Sequence, residues 1–154
     1  MNDIEKRLAE LGIELPVPAK PVANYVGWVK TGNLVFTAGQ ITLKAGKVEC
    51  QGKIGKDFSV EEGAAAARLC AINIIAQLKD ACGGDLSRVR RVVKLVGFVN
   101  AVPEFTDHPK VVNGASDLMV EVFGENGKHA RSAVGAGSLP LNVAVEVEAV
   151  VEIA

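Results

Sequence analysis

Aromatic residues are scarce in this chain: one tryptophan, one tyrosine and five phenylalanines make up 5% of it. A surface that stacks nucleobases needs aromatic faces set among cations. Neither is abundant here, because the net charge is −1 and no block of like charges occurs. The densest group of cations, Arg88, Arg90 and Arg91 with Lys94, reads as the solvated side of a strand, so nucleic acid is not an expected partner. Cysteine is as sparse. Cys50, Cys70 and Cys82 are odd in number and widely spaced, with no CxxC or His/Cys pattern. That spacing argues against a disulfide framework and offers no metal site, and the three read as reduced, buried residues of a cytoplasmic protein. No apolar run approaches membrane-spanning length and the first residues are charged, so neither a membrane span nor a secretion signal is expected. The Gly/Lys loop Gln51–Asp57 lacks the residue order of a nucleotide-binding P-loop.

What is present forms a core. A chain of 154 residues, 49% of them apolar, suits one domain with a substantial interior. Its most strongly patterned stretch is His129–Ala154. Val143, Val145, Val147, Ala149, Val151 and Ile153 point one way, while Ala144, Glu146, Glu148, Val150 and Glu152 point the other. A period of two is a strand with one apolar face, and the other face carries three carboxylates. Arg131 lies upstream on the short segment Arg131–Val134, before a Gly/Ser/Pro turn. The two segments read as a terminal hairpin, with a guanidinium facing a row of carboxylates. That pattern fits a structural ion-pair cluster or a carboxylate-binding site with a general base beside it. Spacing alone favours the first, as ion pairs on sheet faces are the commoner.

Caps and periodicity give the other elements. Residues 2–11 read as a short helix capped by Asn2 and stopped at Gly12. Pro16, Pro18 and Pro21 make Glu14–Val22 an extended arm. Asn24–Lys30 and Leu34–Gly39 read as a hairpin, with Tyr25 at the start of its first strand. Gln40–Leu43 and Lys47–Cys50 read as a second hairpin turning at Gly46. Tyr25 is either a hydrogen-bonded aromatic at the sheet's end or a hydroxyl at a pocket rim, and Trp28 suits core or interface. Ser59 and Glu62 form a capping box for a helix with the stripe Val60, Ala64, Ala67, Ala71, Ile74 and Leu78, ending at Gly83. Arg90–Val99 is a nearly continuous apolar strand and therefore central. His108-Pro109 opens a second long helix that buries Val111, Val112, Ala115, Leu118, Met119 and Val122 and ends at Gly124. Gly114 inside it suggests close packing. His108 reads as a cap and His129 as a loop residue.

The order is α+β: a mixed sheet with two long helices on one face. Val26, Trp28, Val35 and Val150 then give the second sheet face an apolar surface, which implies a homo-oligomer with its sheets face to face and Glu146 and Arg131 near the seam.

Three stretches resemble one family. The segment ANYVGWVKTGNLVFTAGQ, Ala23–Gln40, looks like the opening hairpin of the RidA/YjgF family of reactive-intermediate deaminases, also described as endoribonuclease L-PSP-like. Val112-Asn113-Gly114 resembles that family's helix start. ARSAVGAGSLPLNVAVEVEA resembles its C-terminal signature, with Arg131, Leu139-Pro140, Glu146 and Glu148 as the matching residues. The likeness begins near Tyr25, which sets residues 1–22, the helix and proline arm, apart from a domain over residues 23–154.

The resemblance implies a chorismate-mutase-like fold and a homotrimer with clefts between subunits. It also implies cofactor-free hydrolysis of enamines and imines, such as 2-aminoacrylate, to 2-keto acids and ammonia. Under it Arg131 is the substrate-carboxylate arginine, Tyr25 a cleft tyrosine, Glu146 the glutamate that orients water, and Asn113 a cleft asparagine. Ala133, also on the substrate side, stands where many members carry a cysteine, which removes thiol chemistry there. The residues agree with this reading: a guanidinium fork suits a planar carboxylate, and an electrophilic imine carbon needs only a placed water and proton handling. A trimer that binds a small carboxylate without turning it over is the alternative. RNA cleavage or translation inhibition, also attached to the family, is disfavoured by the near-neutral charge, and a scaffold role has no sequence feature for or against it.

Overall fold

The structure, a computed structural model, describes residues 2–18 and 20–154; Met1 and Ala19, the latter within the proline arm, lie outside them. The chain runs α1 (Asp3–Glu10), β1 (Trp28–Thr31), β2 (Leu34–Thr37), β3 (Leu43–Lys44), β4 (Lys47–Val48), α2 (Val60–Ala81), β5 (Val89–Asn100), α3 (His108–Phe123), β6 (Ala130–Ala136) and β7 (Val145–Ile153). Five strands form one sheet in the order β1-β2-β7-β5-β6, and β3 with β4 form a separate ribbon. Only β5 and β6 are parallel, so the sheet is mixed, with α2 and α3 packed together on one face. The expected α+β architecture is therefore observed.

Alternation along β7 decides which way the sheet faces. Val145, Val147, Ala149, Val151 and Ile153 are buried beneath the helices, while Glu146, Val150 and Glu152 are half-buried and Glu148 is exposed. Burial of each valine stabilises the fold by about 2 kcal/mol. On α2, Ser59 Oγ accepts from Glu62 N at 3.1 Å while Glu62 Oε1 accepts from Ser59 N at 3.0 Å, so both halves of the capping box form. The helices approach closely because small residues meet: a β-carbon at Gly114 would overlap the Ala64 carbonyl and stand 3.0 Å from Ala64 Cα. Asn2 caps α1, its side chain accepting from Glu5 N at 2.8 Å, and Leu8 is buried.

Several expectations need correction. β6 and β7 do not form a hairpin, because β5 lies between them, with Leu95 in register with Arg131 on one side and Ala149 on the other. A parallel β5–β6 pair needs a long crossover, which α3 supplies; the Gly/Ser/Pro turn of residues 137–144 instead carries the chain from β6 past β5 to β7. Trp28 and Val35 are not on the outer face: Trp28 Nε1 donates to Asp80 Oδ2 of α2 at 2.8 Å, and Val35 is fully buried. Strands β1, β3 and β4 are shorter than the β-propensity of their neighbours suggests, so Tyr25 precedes the sheet instead of starting it. His108 is the first residue of α3 and Asp107 its N-cap. Cys50 is half-buried with φ 52°, although Cys70 and Cys82 are buried as expected. Arg88 is not simply solvated, since its Nε and Nη2 donate to Ala154 O at 3.0 and 2.7 Å.

Substituting Gly114→Ala is expected to cost about 3 kcal/mol, because a backbone carbonyl cannot rotate away from the new methyl. Gly137→Ala, with nothing within 4 Å of the new carbon, should stay within about 0.5 kcal/mol of wild type. Urea denaturation of both variants checks the pair, and equal losses would refute the helix-contact account.

Candidate functional site

Arg131 lies on the edge strand β6, and its register with buried Leu95 turns its side chain toward α3. There its Nη1 donates to Asn113 Oδ1 at 2.8 Å and to Ser116 Oγ at 3.1 Å. Those bonds use both hydrogens of Nη1 and leave the Nε–Nη2 edge of the guanidinium open. Among the described residues no carboxylate lies within 4 Å of it. An arginine fixed by two neutral acceptors and lacking a counter-ion has the chemistry to accept an anion. The hydroxyl of Ser116 also meets His129 Nε2 at 2.9 Å, while His129 Nδ1 lies 2.6 Å from Gly127 O. Sequence reading placed Asn113 here but passed over Ser116 and His129. Ser116 does stand three residues after Asn113, one helical turn along α3, and that spacing was the available signal.

Ala133 follows on the same side of β6, partly buried against the core, so its methyl adds a wall and no reactive group. Gly135 comes next. A β-carbon there would approach His108 Nε2 to 2.6 Å, so this glycine makes room for the imidazole, which packs edge-on to Phe105 with ring centroids 5.2 Å apart.

Tyr25 and Glu146 occupy a different place. They line a cavity of about 680 Å³ together with Gly39, Gln40, Asn73 and Leu141. Tyr25 is 59% exposed, with its ring at the rim. Glu146 projects from β7 opposite Phe98, on the sheet face away from the helices. Gly39 leaves room for this side chain, since a β-carbon would stand 2.9 Å from Glu146 Cδ and the carboxylate would have to move. Leu141 and Asn142 hold left-handed backbone conformations at φ 57° and 58°, which costs about 1 kcal/mol or more at the leucine. Two contacts brace that turn: Asn100 Nδ2 donates to Asn142 Oδ1 at 3.2 Å, and Lys53 Nζ bridges Asn100 Oδ1 and Gly137 O at 2.8 and 2.6 Å. Lys53 thus serves the loop and not a phosphate.

Burial raises the pKa of Glu146 above the usual carboxylate range, and the negative charge of Glu148 on the same face raises it further. The thiols of Cys50, Cys70 and Cys82 are also pushed up, chiefly by burial, which keeps them protonated and unreactive.

One chain therefore does not assemble all the candidate residues. Arg131, Asn113 and Ala133 sit together at the β6–α3 edge. Tyr25 and Glu146 share a cavity bounded by the segment before β1, the loop after β2, α2 and the turn before β7, and the expected row of carboxylates does not face the guanidinium.

The folded chain holds the Glu146 proton more tightly than an unfolded chain does, so stability is lost as pH rises through this titration. Glu146→Gln, which cannot ionise, is expected to melt at a higher temperature than wild type at about pH 7. The gap should close toward about pH 3, below the unfolded carboxylate pKa. Thermal scans across pH test this, and a lower melting temperature for the variant at neutral pH refutes it.

Comparison with known proteins gives the family. Residues 5–153 match the family model described as "YjgF/chorismate mutase-like, putative endoribonuclease". Protein TCP17 of Trypanosoma cruzi is 47% identical over 151 residues, covering 97% of this chain and 94% of that one. A 2-iminobutanoate/2-iminopropanoate deaminase of Dermatophagoides farinae is 30% identical over 141 residues, covering 92% and 94%. The crystal structure of Atu1372 from Agrobacterium tumefaciens, a protein of unknown function, superposes with a TM-score of 0.93 at 52% identity, covering 98% and 92%. The chain belongs to the YjgF/chorismate mutase-like (RidA/L-PSP) family.

Proposed function

We propose that this protein hydrolyses 2-imino and enamine acids to 2-keto acids and ammonia without a cofactor, in clefts formed between the subunits of a homotrimer. The observation that carries the proposal is Arg131, held by Asn113 and Ser116, without a counter-ion, and with one edge open. A planar carboxylate fits that edge, and 2-imino acids place their C=N carbon one bond from such a group. The relative named as a 2-iminobutanoate/2-iminopropanoate deaminase supports the choice of substrate class.

The chemistry then needs a positioned water and a proton carrier. Water adds to the imine carbon, forming a C–O bond as the nitrogen takes up a proton. The C–N bond breaks next, ammonia leaves, and loss of the hydroxyl proton gives the ketone. A half-buried carboxylate with a raised pKa can take the proton from water and return one to nitrogen, which suits Glu146. The Tyr25 hydroxyl at the same cavity can hold the water or the leaving nitrogen. Because the clamp and this cavity lie apart in one chain, the reading requires a second copy to bring them together. Val29, Phe36 and Val134, 54%, 43% and 43% exposed on the open sheet face, give copies an apolar surface to share.

That separation also favours a second reading. A protein whose copies join differently would keep the clamp and bind a small carboxylate without converting it.

With imines generated in situ by an amino-acid oxidase, keto-acid release is expected to be faster with the protein than in buffer. Arg131→Ala should lose the acceleration. Glu146→Gln should lower turnover by about 10²-fold or more while still binding the product keto acid. If no imine is hydrolysed faster than in buffer while keto acids bind in an Arg131-dependent way, the enzyme reading falls and the binding reading stands.

A further inference from the structure

The hydrogen bonds behind Arg131 have a direction, and it can be worked out atom by atom. Gly127 O can only accept, so the 2.6 Å contact places the hydrogen on His129 Nδ1. In a neutral ring Nε2 is then an acceptor. The contact at 2.9 Å must be filled by the Ser116 hydroxyl hydrogen. With its own hydrogen spent on the imidazole, Ser116 Oγ offers lone pairs to Arg131 Nη1 at 3.1 Å, while Asn113 Oδ1 accepts the other Nη1 hydrogen at 2.8 Å.

We infer that Ser116 and His129 are positioning residues that set Arg131 to receive a carboxylate side-on at its Nε–Nη2 edge. This inference rests on the reading of Arg131 as the carboxylate clamp. His129 fixes the hydroxyl rotor, the rotor presents an acceptor instead of a donor to the guanidinium, and the guanidinium cannot spin its Nη1 hydrogens toward the ligand. Without the imidazole the hydroxyl hydrogen has no fixed acceptor, so the rotor that carries the lone pairs facing Nη1 is free to turn and the guanidinium loses a fixed partner. The chain Gly127–His129–Ser116–Arg131 thus pays the ordering cost of the clamp before any ligand arrives. It runs through an α3 side chain and the residue just before β6, so the packing of helix on edge strand sets the clamp's angle. The ligand class that follows is an anion that offers two oxygens side by side to the Nε–Nη2 edge, as a carboxylate does.

Two measurements test this. The first needs no ligand: ¹⁵N NMR of the imidazoles should find His129 with its proton on Nδ1 and an unprotonated, hydrogen-bonded Nε2. Ser116→Ala should shift that Nε2 resonance and leave His108 unchanged. A proton on Nε2 in the neutral ring overturns the inference. The second is calorimetric titration with 2-oxobutanoate. Ser116→Ala and His129→Phe should each weaken binding about tenfold, the loss of one oriented hydrogen bond. Ser116→Thr and His129→Gln, which keep the hydroxyl and the acceptor, should restore most of it at similar melting temperatures. If Arg131→Ala abolishes binding but Ser116→Ala and His129→Phe bind as wild type does, the relay is refuted and the clamp stands. If Arg131→Ala binds normally, or wild type does not bind, the clamp reading fails and the relay with it.

Discussion

The fold depends on β7 being two-faced. It lies at the centre of the sheet, between β2 and β5, and its odd-numbered side chains from Val145 to Ile153 form the floor on which α2 rests. Shifting its register by one residue would bury Glu146, Glu148 and Glu152 under a helix, at a cost of several kcal/mol for each desolvated charge. Pairing on both sides and burial of one face therefore hold this strand in a single alignment. Every other strand takes its position from that one, and so do the carboxylates.

Charge is then distributed by topology and not by sequence distance. Arg131 and Glu146 are close in the chain, yet β5 intervenes, and the pleat puts them on opposite sides of the sheet. Separated in this way, each group must meet its burial without the other's charge. Here the arginine is held by neutral acceptors, and the glutamate's affinity for its proton is raised. These two groups of opposite sign, each without a counter-ion, are the features on which the proposed function rests.

Elements governed by local rules were legible in the amino-acid order. The capping box at Ser59, the stop at Gly124, the inward face of α3 and the alternation of β7 all depend on neighbours within a turn or a strand. Gly114 was readable as a close-contact position because glycine in a helix needs a reason, and the Ala64 carbonyl supplies it. Strand adjacency was not legible. Nothing local says that β6 pairs parallel with β5, so the apparent hairpin and the facing charges were both wrong. Trp28 was misplaced for the same reason, since its partner Asp80 is far away in sequence. Arg131 and Asn113 could be named from the family resemblance. The Ser116–His129 contact could not, because it exists only once α3 has crossed over to lie against β6.

The ends of the described chain meet at one turn. Asn2 Nδ2 donates to Asp85 Oδ1 at 2.9 Å, and Ala154 exchanges hydrogen bonds with Arg88, just before β5 begins. The turn over Leu86–Arg88 is thus a buckle that closes the polypeptide into a ring. Tension applied between Asn2 and Ala154 would open this buckle, a few exposed polar contacts, before it sheared any pairing of β7. The same proximity gives a circular permutant a short path between those residues, so the order of elements along the chain could be rotated with the sheet left intact.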